Sequence, residues 1–286
     1  YNVGAFDAAT ASDVLSGSGL SSSAAFEVLL GTILNHLFND GKVSDVEIAQ
    51  IAQAAENKFF GKPCGLLDQM TSSVGSFVEI DFADPANPVI EKLDFDFASC
   101  GYALCIVDTG GSHSDLTDEY AAVRKEMESV AEYLGKSVLR EVDEDEFMKN
   151  IADIRSSCGD RAVLRAMHFY GDNARVEKQA AALKAGDFET FKKYIIESGR
   201  SSYMYNQNVY SCKKASEQPV SLALSLSEKL LDGCGAWRVH GGGFAGTIQA
   251  FVPLNKLDEY KDLMEKVFGS GSCYILSVRP VGGVEL

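Results

Sequence analysis

The sequence has no apolar run that approaches the roughly 20 residues needed by a membrane-spanning helix. Its first residues also lack the basic segment followed by an apolar stretch that marks a secretory signal peptide. A membrane-embedded or secreted protein is therefore not expected. The sequence predicts a protein of the cytoplasm.

Basic residues are scarce relative to acidic ones. The 26 Lys and Arg residues against 41 Asp and Glu residues give a formal net charge of −15 at pH 7. Nucleic acids and anionic membrane surfaces favour basic partners, so neither is expected to bind here. An anionic ligand such as ATP would have to be held locally by backbone amides, helix N-termini or a bound cation.

The seven cysteines form no Cys-x-x-Cys pair and have no nearby histidine with which to share a metal ion. A zinc site or a disulfide framework would require a more regular spacing. We therefore expect reduced thiols, as in other cytoplasmic proteins.

Strand-like and helical patterns are mixed without a regular β-α-β rhythm, which favours the α+β class. The chain is long enough for two lobes. Alternating or continuous apolar residues predict strands at 3–15, 76–82, 89–95, 101–108, 236–240, 247–252 and 273–278. Helical spacing predicts helices after a Gly/Ser turn at 16–23, after a capping box at Ser44 and Glu47, after 61–65, and over 115–134, 160–185, 187–198, 219–232 and 254–268. The acidic run at 143–146 predicts a solvated helix start.

A Gly/Ser-rich segment at 17–25, GSGLSSSAA, lies between a predicted strand and a predicted helix. Small residues let the backbone approach a phosphate, and the free amides of a helix N-terminus bind negative charge. An ordinary turn with a serine cap would explain the segment equally well. It has neither the Gly-Lys-Ser/Thr of a P-loop nor the GxGxxG spacing of a dinucleotide fold.

Two further segments are candidates for a site. In GKPCGLLDQ at 61–69, a Pro/Gly turn precedes Asp68, which could orient or deprotonate a hydroxyl group. The alternative is that Asp68 caps the turn that follows. In HGGGFAG at 240–246, glycines between two strands permit positive φ and close backbone approach, and the alternative is a glycine hairpin.

In this order, GSGLSSSAA, GKPCGLLDQ and GGGFAG resemble three motifs of the galactokinases, a family of GHMP kinases. The resemblance covers essentially the whole chain and includes the segment from Asp108 to Tyr120. The Cys-Gly-x-x-Asp-Gln segment at 64–69 is similar to the corresponding segment of galactokinases rather than to that of mevalonate or homoserine kinases.

The resemblance implies a role for each matching position. Asp68 matches the catalytic aspartate, Gly65 and Tyr120 match contacts to the sugar, and Ser23 and Glu56 match ligands of Mg²⁺. From the sequence pattern alone, Glu56 would be solvated surface. The positions that match the phosphate-binding motifs are Gly17, Ser18, Gly19, Leu20, Ser21, Ser22 and Ser23, with Gly241, Gly242 and Gly243 beside them.

The resemblance also implies a fold and an activity. The expected fold is α+β and two-lobed, with 1–98 as the remainder of the N-terminal ATP-binding domain and 99–286 as a ferredoxin-like C-terminal domain with extra helices. The expected activity is transfer of phosphate from ATP, with Mg²⁺, to the anomeric hydroxyl of galactose or a related hexose. A kinase of another small alcohol, or a catalytically silent paralogue that senses sugar and nucleotide, remain alternatives. The sequence does not determine the oligomeric state.

The sequence departs from the galactokinase pattern at several places. The chain begins with Tyr1, and the first motif of the family, similar to GRVNLIGEHTDY, is expected upstream of it. Since that motif supplies an arginine and sugar-binding side chains, we expect the chain alone to show little or no turnover. The usual proline before the phosphate loop is missing, Ala245 replaces a glycine, and Gly199 stands where a histidine is usual. These departures are typical of a divergent branch, and the resemblance implies a sugar kinase of galactose or a related hexose.

Overall fold

The structure is a computed structural model that describes residues 1–14, 20–61, 64–84, 87–111 and 116–286. The chain divides into two units, residues 1–95 with 278–286 and residues 96–277. The sequence-based boundary lay between 98 and 99 and placed the C-terminal residues in the second domain. In the structure they pack within the first unit, where Ser76 N donates to Arg279 O at 2.7 Å. The assignment of the two family domains stays a prediction.

The first unit combines helices with a β-hairpin. Its elements are α1 (Ser22–Phe38), α2 (Asp45–Ala55), a π-helical turn (Glu56–Phe60), α3 (Leu67–Val74), β1 (Phe77–Asp81) and β2 (Val89–Leu93). The predicted helices and the two strands are confirmed here. The capping box is also present, since Ser44 N donates to Glu47 Oε2 at 3.1 Å and Glu47 N donates to Ser44 Oγ at 3.3 Å.

One predicted element of this unit is wrong. Residues 3–14 form no strand and are exposed, and residue 15 lies outside the described part of the chain. The alternation that predicted the strand is local, whereas a strand also needs a neighbour to accept and donate backbone hydrogen bonds. No described strand pairs with this segment.

The second unit consists of a sheet and a larger set of helices. Its elements are β3 (Tyr102–Asp108), α4 (Thr117–Tyr133), α5 (Glu144–Lys149), α6 (Ile151–Cys158), α7 (Asp160–Lys184), α8 (Phe188–Ser201), a π-helical turn (Ser202–Asn206), α9 (Pro219–Leu231), β4 (Ala236–Val239), β5 (Thr247–Pro253), α10 (Leu257–Phe268) and β6 (Cys273–Leu276). The predicted elements are confirmed to within a few residues, and α6 is an addition. No helix in the described ranges is long and apolar enough to cross a membrane.

The described strands of this unit form an antiparallel sheet in the order β4-β5-β3-β6. Alternate residues of β3 and β5, such as Val107 and Ile248, are buried against α9 and α10. A second apolar cluster, which includes Val130 and Phe147, joins α4 to α5, α6 and α7. Trp237 on β4 is 7% exposed and belongs to the sheet core. This sheet and helix layer support the glycine turn between β4 and β5.

Helix α8 crosses β4 closely at Gly199, the position where galactokinases usually have histidine. A Cβ atom on Gly199 would lie 2.9 Å from Arg238 Cβ and 3.1 Å from Trp237 O. Beside it, Asp172 on α7 accepts hydrogen bonds from Ser198 Oγ at 2.5 Å and from Arg175 Nη1 at 3.0 Å. This helix–strand contact therefore leaves no room for a side chain at residue 199 unless Arg238 or the backbone shifts.

A buried histidine in the same region is expected to make the stability of this protein sensitive to pH. His168 is 8% exposed, shares a hydrogen bond of 2.9 Å between its Nδ1 and Ser201 Oγ, and faces Asp172, Arg175 and Arg238. Burial lowers the pKa of His168 below its ordinary 6.5, although Asp172 acts in the opposite direction. Below the unfolded pKa, the unfolded chain binds a proton that the folded chain resists, so stability falls with falling pH.

We therefore expect the free energy of unfolding to decrease as the pH is lowered from about 7.5 to about 5.5. The His168→Gln variant keeps a polar side chain but cannot titrate, so its unfolding free energy should vary less over the same range. Urea unfolding at a series of pH values measures both. Equal slopes for the two proteins would show that His168 does not control this dependence.

Candidate functional site

The start of α1 carries the predicted phosphate-binding residues that the structure describes. Gly17, Ser18 and Gly19 lie outside the described residues, whereas Leu20 and Ser21 precede the helix and Ser22 and Ser23 begin it. Ser21 has a left-handed φ of 56° and makes no side-chain capping hydrogen bond, and the first turn contains no acidic residue. Ser21 at the N-cap position therefore leaves the first amide groups of the helix without its side-chain cap, which is an arrangement that suits an anion.

Ser23 and Glu56, the two predicted metal ligands, lie side by side. Ser23 Oγ donates to Glu56 Oε1 at 3.1 Å across 33 positions of sequence. Glu56 begins the π-helical turn after α2 and is 2% exposed. The expectation that Glu56 lies at a solvated surface, drawn from the sequence pattern, is wrong, because packing between α1, α2 and α3 buries this side chain.

A hydrogen-bonded loop connects Glu56 to the predicted catalytic segment. Cys64 N donates to Asn57 Oδ1 at 2.7 Å, and Gln53 Nε2 donates to Cys64 O at 3.2 Å. Burial, with a hydrogen bond to Glu56, raises the pKa of the Cys64 thiol to about 11, so the thiol stays neutral at ordinary pH. These contacts fix the backbone immediately before Gly65 and Asp68.

Asp68 is exposed in the first turn of α3. The N-cap position of α3 is Leu66, so Asp68 does not cap the helix as the alternative reading supposed. A carboxylate in the first helical turn interacts favourably with the helix dipole. Gly65 is also exposed, and a Cβ atom there would meet no neighbour within 4 Å. The carboxylate and the Gly65 backbone are thus both accessible to a ligand.

In the second unit, Tyr120 packs against the glycine turn that joins β4 to β5. Its hydroxyl donates to Gly243 O at 2.8 Å. Its ring packs edge-on against the ring of Phe244, with 5.5 Å between the ring centroids. A Cβ atom on Gly242 would lie 2.7 Å from Tyr120 Cε1. Burial raises the pKa of the Tyr120 hydroxyl, which keeps it a hydrogen-bond donor.

The glycine turn itself requires glycine at specific positions. Gly241 and Gly243 have φ values of 63° and 78°, which favour glycine. A Cβ atom on Gly243 would lie only 1.9 Å from Asn208 O, and Phe244 N donates to that oxygen at 2.5 Å. The turn does connect an antiparallel strand pair, as the hairpin alternative supposed. Its glycines also permit a close backbone contact that a simple hairpin does not need.

Tyr120, Gly241 and Gly242 form part of the wall of a pocket of about 510 Å³ within the second unit. The rest of the lining includes apolar residues such as Met127 on α4 and Phe169 on α7, together with the charged side chains Arg124, Glu128 and Arg140. Behind it, the fully buried Arg165 on α7 donates to Asn206 O at 3.1 Å and to Glu126 Oε2 at 2.9 Å. The arginine holds the chain segment that leads to Asn208, whose side chain contacts the glycine turn at Gly242 O.

Two residues, one in each unit, contact the predicted positions but were given no role by the sequence. Gln69 donates from its side-chain amide to Glu56 Oε2 at 2.9 Å, and Asn208 Nδ2 donates to Gly242 O at 3.1 Å. Gln69 follows Asp68 directly, so its place in the motif was a signal. Nothing in the local pattern around Asn208 indicated its contact with the turn.

The predicted residues fall in both units. Ser23, Glu56, Gly65 and Asp68 belong to the first, and Tyr120 and the glycine turn belong to the second. The expectation that the phosphate loop lies beside the glycine turn stays a prediction. In the described ranges no group of three or more His, Cys, Asp or Glu side chains could hold a metal ion by itself.

Comparison with known proteins finds that this chain is similar in sequence to GHMP kinases and, among them, to galactokinases. The family model described as the GHMP kinases N terminal domain matches residues 1–76. The galactokinase of Actinobacillus pleuropneumoniae is 31% identical over 258 residues, which are 90% of this chain and 64% of that protein. This chain therefore spans slightly less than two thirds of the length of that relative. The human galactokinase is 32% identical over 98% of this chain and 68% of its own length.

Solved structures share the fold. The crystal structure of Lactococcus lactis galactokinase complexed with galactose has a TM-score of 0.73 at 24% identity, covering 96% of this chain and 69% of that one. The L. major mevalonate kinase in complex with R-mevalonate has a TM-score of 0.57 at 13% identity, covering 92% of this chain and 66% of that one.

A further sequence relative, the galactokinase of Thermotoga petrophila, is 31% identical over 94% of this chain and 71% of its own length. Because the match to the human and Thermotoga proteins extends over more than two thirds of each, the chain belongs to the galactokinase family of the GHMP kinases.

Proposed function

We propose that the protein containing this chain is a sugar kinase, which transfers phosphate from ATP to the anomeric hydroxyl of galactose or a related hexose. The single observation that carries the proposal is the contact between Ser23 and Glu56, at 3.1 Å. The family resemblance assigns these two residues, and only these, to the cation. They are 33 positions apart in the sequence, and the fold places them together next to the Asp68 segment.

The side chains at this position fit Mg²⁺. A serine hydroxyl and one carboxylate are hard oxygen donors, and Gln69 adds a buried amide oxygen with no hydrogen-bond partner in the described structure. Mg²⁺ in phosphotransferases is held by one or two protein oxygens, with water and substrate phosphates completing its octahedron. Ser23 and Glu56 would hold the cation, which when bound neutralises charge on the phosphates.

The remaining residues position the reactants. Phosphoryl transfer needs little covalent chemistry from the protein, so alignment and charge stabilisation dominate. The amides at the start of α1 would bind phosphate oxygens. Asp68 would accept a hydrogen bond from the sugar hydroxyl, orient it toward the phosphorus, and take its proton late in the transfer, since a carboxylate is a weak base. Tyr120, Gly65 and the glycine turn, Gly241–Gly243, would contact the sugar and the nucleotide.

The relatives favour galactose as the first substrate to test. The curated relatives described above are named galactokinases, and the L. lactis structure contains galactose. We propose ATP and a hexose as the small-molecule partners and Mg²⁺ as the cation. The cytoplasmic location expected from the sequence stays a prediction.

The proposal is tested by assaying the complete gene product that contains these residues with ATP and Mg²⁺ against a panel of hexoses, including galactose and N-acetylgalactosamine. We expect ADP release that depends on one sugar of the panel. ATP binding without ADP release for any sugar would contradict the proposal and favour a silent sensor.

A further inference from the structure

Gln69 is a buried glutamine that touches the proposed cation site. It is 1% exposed, and its Nε2 donates to Glu56 Oε2 at 2.9 Å. The same nitrogen lies 3.4 Å from Cys64 Sγ. The donor end of the amide is therefore engaged on the carboxylate whose other oxygen accepts the hydrogen bond from Ser23. This geometry fixes which oxygen of Glu56 faces Ser23.

The other end of the same amide has no such contact. Gln69 Oε1 is buried and has no hydrogen-bond partner among the residues that the structure describes. Buried polar atoms are almost always satisfied, so an unsatisfied acceptor on an amide that holds the Glu56 carboxylate indicates a polar partner that binds there. An amide oxygen can only accept, so that partner must donate a hydrogen bond or be a cation.

We propose that Gln69 is a positioning residue for the cation. Its amide nitrogen orients the Glu56 carboxylate, and its amide oxygen accepts a hydrogen bond from a water molecule bound to Mg²⁺. Residues that orient metal ligands contribute strongly to metal affinity without binding the metal themselves. The inference rests on the proposed function, because it takes Ser23 and Glu56 as the ligands.

The position of Gln69 also predicts which property of the site depends on it. It is the neighbour of Asp68 in the first turns of α3. The same turn of α3 thus carries Asp68, which would face the sugar, and Gln69, which holds the Glu56 carboxylate that would face the cation. A loss of the Gln69 contact should therefore affect cation affinity first, while the exposed Asp68 keeps its place on the helix.

The test compares Gln69→Met with Gln53→Met in the complete gene product. Methionine has a similar length but neither donates nor accepts a strong hydrogen bond. Gln53 is the matched control, because its side-chain amide holds the same loop by donating to Cys64 O, and only its backbone oxygen, which the substitution keeps, accepts from Glu56 N. Binding of Mn²⁺ in the presence of ATP, followed by electron paramagnetic resonance, measures cation affinity directly. The free Mg²⁺ concentration for half-maximal activity gives a second readout.

We expect Gln69→Met to weaken Mn²⁺ binding by about 10- to 100-fold. The Mg²⁺ concentration for half-maximal activity should rise by the same factor, with kcat at saturating Mg²⁺ reduced less. Gln53→Met should keep the affinity of the unmodified protein. If Gln69→Met does not fold, Gln69→Asn, whose polar side chain is too short to reach Glu56 from the same backbone, should show the same loss.

Two results would overturn the inference, and they differ. A folded Gln69 variant with unchanged Mn²⁺ affinity would remove the positioning role and leave the proposed kinase function in place. Failure of the unmodified protein to bind Mn²⁺ with ATP would remove both.

Discussion

The Asp68→Ala variant is expected to lose about 10²- to 10⁴-fold in the kcat of sugar phosphorylation, the usual contribution of a positioned acid–base group. The loss follows because the variant retains the α1 amides, Ser23 and Glu56 but has no group to align the sugar hydroxyl and accept its proton. ATP affinity should therefore change little. Steady-state kinetics together with calorimetric titration of ATP separate the two quantities.

The matched control for this variant is Asp45→Ala. Asp45 is also an exposed aspartate in the first turn of a helix in the same unit, so it shares the favourable interaction with a helix dipole. Both variants should lose a similar small amount of stability, and only Asp68→Ala should lose activity. An Asp68→Ala protein with kcat close to that of the Asp45→Ala protein would show that Asp68 takes no part in the transfer.

The Gly243→Ala variant is expected to be destabilised strongly. Its new methyl group would lie 1.9 Å from Asn208 O, an oxygen of the backbone that cannot rotate away. The left-handed φ of 78° costs a further amount of about 1–2 kcal/mol for any residue with a Cβ atom. With an overpacking cost of about 3 kcal/mol, the total is about 4–5 kcal/mol. Chemical denaturation, followed by circular dichroism, measures this loss.

Gly241→Ala isolates the overlap from the backbone conformation. Gly241 also has a positive φ, of 63°, but a Cβ atom there would meet nothing within 4 Å. This variant should lose only the conformational cost of about 1–2 kcal/mol. If the two variants lose the same free energy of unfolding, the close contact between the turn and Asn208 does not exist in solution.

The elements with strong local patterns could be predicted from the sequence. The helix α7 was placed at 160–185 and is found at Asp160–Lys184, because its apolar spacing is long and regular. The capping box at Ser44 was recognisable for the same reason, since the two residues that form it are only three positions apart. Residues 3–14 show the limit of local patterns. Their alternation resembles a strand, but pairing depends on residues elsewhere in the fold.

Some residues of the candidate site could likewise be predicted from local motifs, whereas others depend on how the chain packs. Asp68, Ser23 and Tyr120 could be proposed because they lie in motifs that resemble a family. The burial of Glu56 could not be predicted, because it depends on how three helices pack, and the local pattern indicated surface. The role of Asn208 was also hidden, since its contact with Gly243 joins positions 35 residues apart through the backbone. Such contacts become visible only when the whole chain is folded.

The most direct test of the central claim is a phosphorus NMR spectrum of the complete gene product incubated with ATP, Mg²⁺ and each hexose of the panel, galactose included, beside the Asp68→Ala variant. The account predicts a new phosphomonoester signal coupled to the anomeric proton, with release of ADP, in the unmodified protein and not in the variant. If no sugar phosphate forms, or if phosphate appears on another hydroxyl, the assignment of this site to anomeric phosphoryl transfer is contradicted.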